Sequence, residues 1–218
     1  MSQSADDTVA LIPLRSPGHG KTRLRGVLSS DRRAALAGAM LADVVTALRD
    51  AEVTRLVVAA SGPAAAAAGS ALGVDICLDP PGVGSLDGAI AAATQQIGAP
   101  SSLLVVAADL PRLTGPEVRH LLDQDAEVVV APTRGGGTGG LLRRPATRIT
   151  TAYGPGSAAA HLALAHRAGA STTSVALTGF EEDVDTAEDL LRLAAGHQLG
   201  RATSTLMEGW DLRSEAAG

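Results

Sequence analysis

A chain of 218 residues, 45% of them hydrophobic, is one domain of the larger kind, long enough to bury a full sheet between helix layers and too apolar for wholesale disorder. A net charge of -5 and only three aromatics, Tyr153, Phe180 and Trp210, exclude the basic face and stacking platforms of most nucleic-acid binders. The single cysteine, Cys77, rules out an intrachain disulfide and a zinc cluster, and its apolar neighbours Val74, Ile76 and Leu78 make it a small buried residue. Residues 1–7 are polar and acidic, unlike a signal peptide, and no apolar run approaches the ~20 residues of a membrane helix. The expected address is therefore the cytoplasm, with no membrane and no nucleic-acid partner.

In chain order, Thr8 to Leu14 reads as a first strand. Ser30 to Asp50 carries Leu36, Met40, Leu41, Val44, Val45 and Leu48 at helical spacing, with Asp31 or Ser30 as candidate cap. Thr54 to Ala60 is a buried strand, and Pro63 opens an alanine-rich helix over Ala64 to Ala68. Val74 to Leu78 is strand-like, Leu86 to Ile97 helical. Ser102 to Ala108 is the clearest buried strand and runs into Asp109. Thr114 to Asp123 forms a short helix with Pro116 in its first turn, and Glu127 to Ala131 another strand. Further on, Thr138 to Arg143 and Thr172 to Leu177 suit strands, Ser157 to Ala168 and Thr186 to Ala195 helices, and Arg201 to Gly218 a partly ordered polar tail. The expected organisation is a flexible start over 1–7, one domain over 8–200 and a tail over 201–218. Alternating strands and helices predict an α/β fold, with a mainly parallel sheet and helices on both faces. In such sheets ligands sit beyond the carboxyl ends of the strands, so the residues just after strands carry the functional reading.

The first such loop reads Pro13-Leu14-Arg15-Ser16-Pro17-Gly18-His19-Gly20-Lys21-Thr22-Arg23. Gly20-Lys21-Thr22 invites a Walker A assignment, but that motif requires glycine where Arg15 stands. Phosphate is still the natural guest: glycines let backbone N–H groups approach an anion, and Arg15, Lys21 and Arg23 can surround a triphosphate. Lys21 is the only lysine in an arginine-rich chain, where a compact point charge serves a purpose that arginine does not. The competing reading is a solvated basic loop.

Asp109 ends a buried strand, where a carboxylate is costly unless paired or metal-bound. Asp183 and Asp185, two apart, point to one side of an extended backbone and suit a divalent cation, most naturally Mg²⁺. Asp185 or Thr186 equally suits the cap of the helix that follows. Gly135 to Gly140 satisfies G-x-G-x-x-G, but no helix follows it, so close backbone approach to a ligand is the better reading. Ser157 is a ready N-cap, and the same helix start could hold a small anion on free N–H groups. His161, one turn on, suits a structural or a ligand-facing role.

Taken in order, Pro13-Leu14-Arg15, Gly20-Lys21-Thr22-Arg23-Leu24, Asp109-Leu110-Pro111, Gly137-Thr138, Gly154-Pro155-Gly156-Ser157 with His161, and Asp183-Val184-Asp185-Thr186 resemble the guanylyltransferases of coenzyme F420 biosynthesis, which act on phosphoenolpyruvate or 2-phospho-L-lactate. The resemblance implies a single-domain, Rossmann-like nucleotidyltransferase fold of the glycosyltransferase-A-like type. It implies GTP as substrate, Mg²⁺ as cofactor, attack of the acceptor phosphate on the α-phosphorus, and release of pyrophosphate. It assigns Lys21, Arg15 and Asp109 to catalysis. Pro13, Arg15, Lys21, Arg23, Gly84 and Asp87 go to the nucleotide, Thr138, Gly154 and Ser157 to phosphoenolpyruvate, and Asp109, Asp183 and Asp185 to metal. Arg15 stands where the family often has lysine, Gly139 and Gly140 where it often has asparagine and alanine, and Gly84-Ser85-Leu86-Asp87 replaces a Gly-Leu-Asn-type motif. The Ala- and Arg-rich composition suits an actinobacterial host and favours phosphoenolpyruvate over phospholactate. A homo-oligomer is compatible with the sequence. The rivals are a nucleotidyltransferase with another acceptor and a non-catalytic nucleotide-binding module.

Overall fold

The computed structural model describes residues 8–15, 22–195 and 198–210. Seven strands form one sheet in the order β3-β2-β1-β4-β6-β5-β7. They are β1 (Thr8–Leu14), β2 (Arg55–Ala60), β3 (Asp75–Leu78), β4 (Ser102–Val106), β5 (Val128–Pro132), β6 (Thr138–Arg143) and β7 (Thr172–Ser174). The helices are α1 (Ser30–Asp50), α2 (Pro63–Ala71), α3 (Leu86–Gln96), α4 (Gly115–Leu122), α5 (Ser157–Arg167), α6 (Thr178–Glu181), α7 (Ala187–Ala195) and α8 (Arg201–Glu208). All pairings are parallel except those of β6, which runs against both β4 and β5. The expected α/β architecture is therefore present.

Alternation within the central strands splits the core in two. Ala10, Ile12 and Leu14 of β1, with Leu104 and Val106 of β4, pack on Leu41, Val44 and Leu48 of α1 and on Val118 and Leu121 of α4. Val9 and Leu11, with Leu103 and Val105, face Ile90 and Ala93 of α3 and Ala158 and Ala165 of α5. Strands buried on both faces need apolar residues throughout, which is why β1 and β4 read as continuous hydrophobic runs.

From β1 the chain crosses through α1 to β2 on one side, while β4 lies on the other. The carboxyl ends of β1 and β4 thus bound the crevice where the strand order reverses. Because β6 is antiparallel, its beginning, Thr138, lies at that same edge of the sheet, paired with Pro132 at the end of β5.

Two local details differ from expectation. The N-cap of α1 is Ser29, whose side chain accepts from the Arg32 N–H at 3.3 Å, rather than Ser30 or Asp31. The segment expected to be a polar tail forms α8 over Arg201–Glu208 and packs on α1. The buried Asp43 carboxylate of α1 accepts from the Ala202 and Thr203 N–H groups at 2.8 and 2.9 Å, satisfying two orphan donors at the start of α8. Leu206, Met207 and Trp210 then cover a small third core of Leu24, Leu28, Leu36, Met40, Val184, Leu190 and Leu193. A polar pattern conceals this helix because its start is capped by a residue about 160 positions away.

Candidate active site

Two adjoining cavities open along the crevice. One, of ≈ 430 Å³, is lined by Pro13, Arg15, Met40, Ala108 and Asp109 among others. The other, of ≈ 750 Å³, is lined by Arg23, Thr133, Gly154, Ser157, Asp183 and Arg192 among others. Leu86, Ala107, Thr138, Tyr153 and Asp185 line both, so the two form one cleft. The structure thereby brings together Pro13, Arg15, Arg23, Asp109, Thr138, Gly154, Ser157, Asp183 and Asp185 from six separate stretches of chain. Lys21 lies outside the described residues. Gly84 and Asp87 line neither cavity. Gly84 is exposed just before α3, whose N-cap is Ser85.

Asp87, in the first turn of α3, accepts the Tyr153 N–H on Oδ1 at 3.0 Å. It therefore ties α3 to the loop that carries Gly154. Tyr153 packs edge-on against His161 with ring centroids 4.9 Å apart, and burial pushes its phenol up in pKa.

The wall opposite is built from hydroxyls. Thr138 Oγ1 is 2.9 Å from Ser157 Oγ and 3.1 Å from His161 Nδ1, and all three residues are buried. On the far side of the ring, His161 Nε2 accepts the Ala152 N–H at 2.9 Å. Burial lowers the imidazole to about 4, with Asp87 raising it and the Arg143 guanidinium lowering it further, so the ring is neutral at pH 7. The two readings of His161 merge: it is a core histidine that grips a residue of the cleft.

Ser157 is not the N-cap. Gly156 holds that position at φ 71, a left-handed conformation that suits glycine, and Ser157 is the first helical residue. Two N–H groups of the expected anion hole are already bonded. The Ser157 N–H donates to the Gly154 carbonyl at 3.1 Å, and that of Ala158 to Gly136 at 3.3 Å. What Ser157 presents to the cleft is its hydroxyl.

The glycines of β6 have a different purpose from the one expected. A Cβ at Gly139 would collide with the Phe180 carbonyl, and one at Gly140 would sit 2.7 Å from the Phe180 ring. Close approach is indeed the reason for both, but the guest is α6 and not a ligand. Gly136, at φ 77, makes the β5–β6 turn.

Asp109 sits three residues beyond the end of β4, after Ala107 donates its N–H to the Gly139 carbonyl at 2.9 Å. On the other rim, α7 is capped by Thr186. Its Oγ1 accepts the Asp189 N–H at 3.2 Å, and Asp189 Oδ2 accepts the Thr186 N–H at 2.7 Å. Of the two capping candidates, Thr186 therefore takes the role, and Asp185 lines the cleft. Burial alone would raise Asp189, but bonds from Thr186, the Asp185 N–H and Arg192 outweigh it and hold the carboxyl below its usual range.

Sequence reasoning missed Glu182. It bridges Arg112 at 2.9 Å, after β4, and Arg134 at 2.7 Å, in the β5–β6 turn. The Arg134 N–H also donates to the Glu181 carbonyl at 2.9 Å. These bonds fix the approach of Asp183 to the cleft. The acidic run Glu181-Glu182-Asp183 was visible, but its arginine partners are far along the chain.

Among the described residues, no three Asp, Glu, His or Cys side chains converge into a complete metal-ligand group. The donors are oxygen only. Such a set suits a hard cation that takes one or two carboxylates and fills its remaining positions with water and substrate phosphates. Among the described residues, no helix is long and apolar enough to cross a membrane.

Known proteins share this fold. The solved nucleotide-diphospho-sugar transferase candidate of Desulfovibrio desulfuricans G20 superposes with a TM-score of 0.76 at 18% identity, covering 97% of this chain and 98% of that one. A Mycobacterium tuberculosis protein solved as a manganese complex superposes with a TM-score of 0.57 at 18% identity, covering 88% of this chain and 100% of that one. Likeness at such identities concerns the fold. In sequence, the phosphoenolpyruvate guanylyltransferase of Roseiflexus castenholzii is 34% identical over 189 residues, 86% of this chain and 88% of that protein. The 2-phospho-L-lactate guanylyltransferase of Methanoregula boonei is 31% identical over 207 residues, 94% of this chain and 91% of that protein. The model of the CofC-like guanylyl transferases matches residues 8–207, and the chain belongs to that family.

Proposed function

We propose that the protein transfers a guanylyl group from GTP to the phosphate of phosphoenolpyruvate, in the cytoplasm and as a step of coenzyme F420 biosynthesis. The observation that carries this reading is the single cleft whose two halves, one lined by Arg15 and Asp109 and the other by Ser157 and Gly154, share Thr138, Tyr153 and Asp185. A nucleotide and a small acid bound side by side there have their phosphates adjacent.

Arg15, Lys21 and Arg23 hold the triphosphate, with Pro13 along its edge and the α3 start, Gly84 to Asp87, towards the base. Thr138, Gly154 and Ser157 hold the acceptor. A phosphate oxygen of the acceptor attacks the α-phosphorus. The bond between that phosphorus and the oxygen bridging to the β-phosphate breaks, and pyrophosphate leaves. The product is enolpyruvyl-diphospho-5′-guanosine. An acceptor phosphate is already anionic and needs no general base, so catalysis consists of in-line positioning and charge neutralisation. One or two of the carboxylates Asp109, Asp183 and Asp185 would hold Mg²⁺, with water and substrate phosphates completing its shell, and the ion when bound neutralises phosphate charge.

The test is pyrophosphate release by the purified protein with GTP, Mg²⁺ and either phosphoenolpyruvate or 2-phospho-L-lactate. Release with phosphoenolpyruvate is expected. Release only with phospholactate would reassign the acceptor, and GTP binding without release from either would favour a regulatory module.

A further inference from the structure

We propose that His161 is a positioning residue for the acceptor: its tautomer turns the Thr138–Ser157 hydroxyl pair into a donor aimed at an anion. The inference rests on the reading of Thr138 and Ser157 as the acceptor site, and it deepens that reading.

The argument is proton counting. The Ala152 N–H donates to His161 Nε2, so Nε2 carries no proton and the neutral ring holds its proton on Nδ1. That Nδ1–H points at Thr138 Oγ1, 3.1 Å away, and occupies one of its lone pairs. The two hydroxyls, 2.9 Å apart, own two protons, and one of these lies between them. The other is left over, on the oxygens that line the cleft. With the opposite tautomer the count changes. A bare Nδ1 would take the Thr138 proton, Ser157 would donate to Thr138, and nothing would remain for a ligand. Anion recognition at this wall therefore depends on a ring that never contacts the anion.

The surroundings hold the ring in this state. A second proton on Nε2 would face the Ala152 N–H donor directly. The charged and titratable groups about the ring are Arg143 of β6, which disfavours an imidazolium, Asp87 of α3, which opposes Arg143, and Tyr153 of the loop, which packs edge-on. Burial decides the balance for the neutral form. The Ser157 and Ala158 N–H groups offer no substitute, because they are bonded to Gly154 and Gly136. A hydroxyl proton is the donor that remains to Ser157, and a carboxylate or phosphate oxygen is the complementary guest.

Two measurements test this. Nitrogen-15 NMR of the intact protein labelled at histidine reads the tautomer without substrate. A protonated Nδ1 and bare Nε2, unchanged from pH 7 to pH 5, is expected. An Nε2–H tautomer or an imidazolium in that range overturns the proposal. Kinetics then use two amide variants. In His161→Asn the amide nitrogen can replace the Nδ1–H donor to Thr138. In His161→Gln the amide oxygen can replace the Nε2 acceptor for Ala152, but the Thr138 donor is lost. The Gln variant leaves the pair its spare proton but no longer holds that proton towards the cleft, and is expected to raise the KM for phosphoenolpyruvate a few-fold, part of the worth of a charge-assisted bond, with the KM for GTP unchanged. The Asn variant is expected to restore much of that loss. An unchanged acceptor KM in the Gln variant, or equal losses for both substrates in both variants, would show a merely structural role. Should both variants misfold, the tautomer measurement decides alone. A parent enzyme with the expected tautomer that transfers guanylyl to neither acceptor would indict the proposed reaction instead.

Discussion

The inner wall of the cleft and its rim are made of opposite materials. The acceptor wall is neutral and buried: Thr138, Ser157 and His161 bond to one another, and Asp87 anchors the loop beside them. The rim that runs along both cavities is charged and wetter: Arg15, Arg23 and Asp185 are exposed, and Arg23 lines the same cavity as Ser157. Neutral groups that satisfy one another can be fixed in place before any ligand arrives, at little desolvation cost. Cations and carboxylates kept close to water suit, on the proposed reading, a triphosphate and its counter-ion. The cleft therefore joins a preorganised neutral wall to an electrostatic rim.

That contrast is sharpest for the carboxylates. Asp109→Asn and Asp183→Asn are each expected to lower kcat by on the order of 10³-fold while leaving the fold intact, the scale on which charge-neutralising groups act in phosphoryl transfer. Circular dichroism and steady-state rates check this together. Full activity in either variant would break the assignment of charge to that rim.

The neutral wall should be exposed by acid. His161 stays unprotonated in the fold down to about 4, whereas its unperturbed value is 6.5. Below 6.5 the unfolded chain binds a proton that the native state does not, so the contribution is complete above that pH and is lost as pH falls. The loss is about 1.4 kcal/mol per pH unit and reaches on the order of 3 kcal/mol near pH 4. Urea unfolding between pH 7 and 4.5, compared with that of His161→Asn, isolates the effect. Parallel curves would mean that the ring titrates normally.

A smaller effect is expected beneath the nucleotide side. Asp43→Ala removes the cap of α8 and should cost about 1–2 kcal/mol of stability. Since α8 supports the core that includes Leu24 and Met40, and Met40 lines the nucleotide cavity, the KM for GTP should rise a few-fold with little change for the acceptor. Thermal melts and substrate titrations check both. A change confined to the acceptor would contradict the division of the cleft.

Much of this was legible in the chain. The apolar runs of β1 and β4 announce strands buried on both faces, and the residues after them, Arg15 and Asp109, do line the cleft. Ser157 and His161, four apart on one helix, could be paired by spacing alone. Their common partner Thr138 comes from β6, on the far side of a loop and a turn, and no local pattern links it to them. The glycines at 139 and 140 misled for a similar reason. A glycine records that something comes close but not what, and here it is Phe180, forty residues on. Glu182 and Asp43 likewise bind partners remote in sequence, so their roles follow from the topology.

The reversed direction of β6 has one more consequence. A residue that opens a central strand is held by its ladder, whereas residues in connecting loops can drift as those loops change length or composition. On the proposed reading Thr138, paired with Pro132, is a fixed datum for the acceptor, while the stretch from 151 to 157 can be redrawn around it. Relatives that handle acids of different shape can keep the same anchor and vary only the contour that faces it.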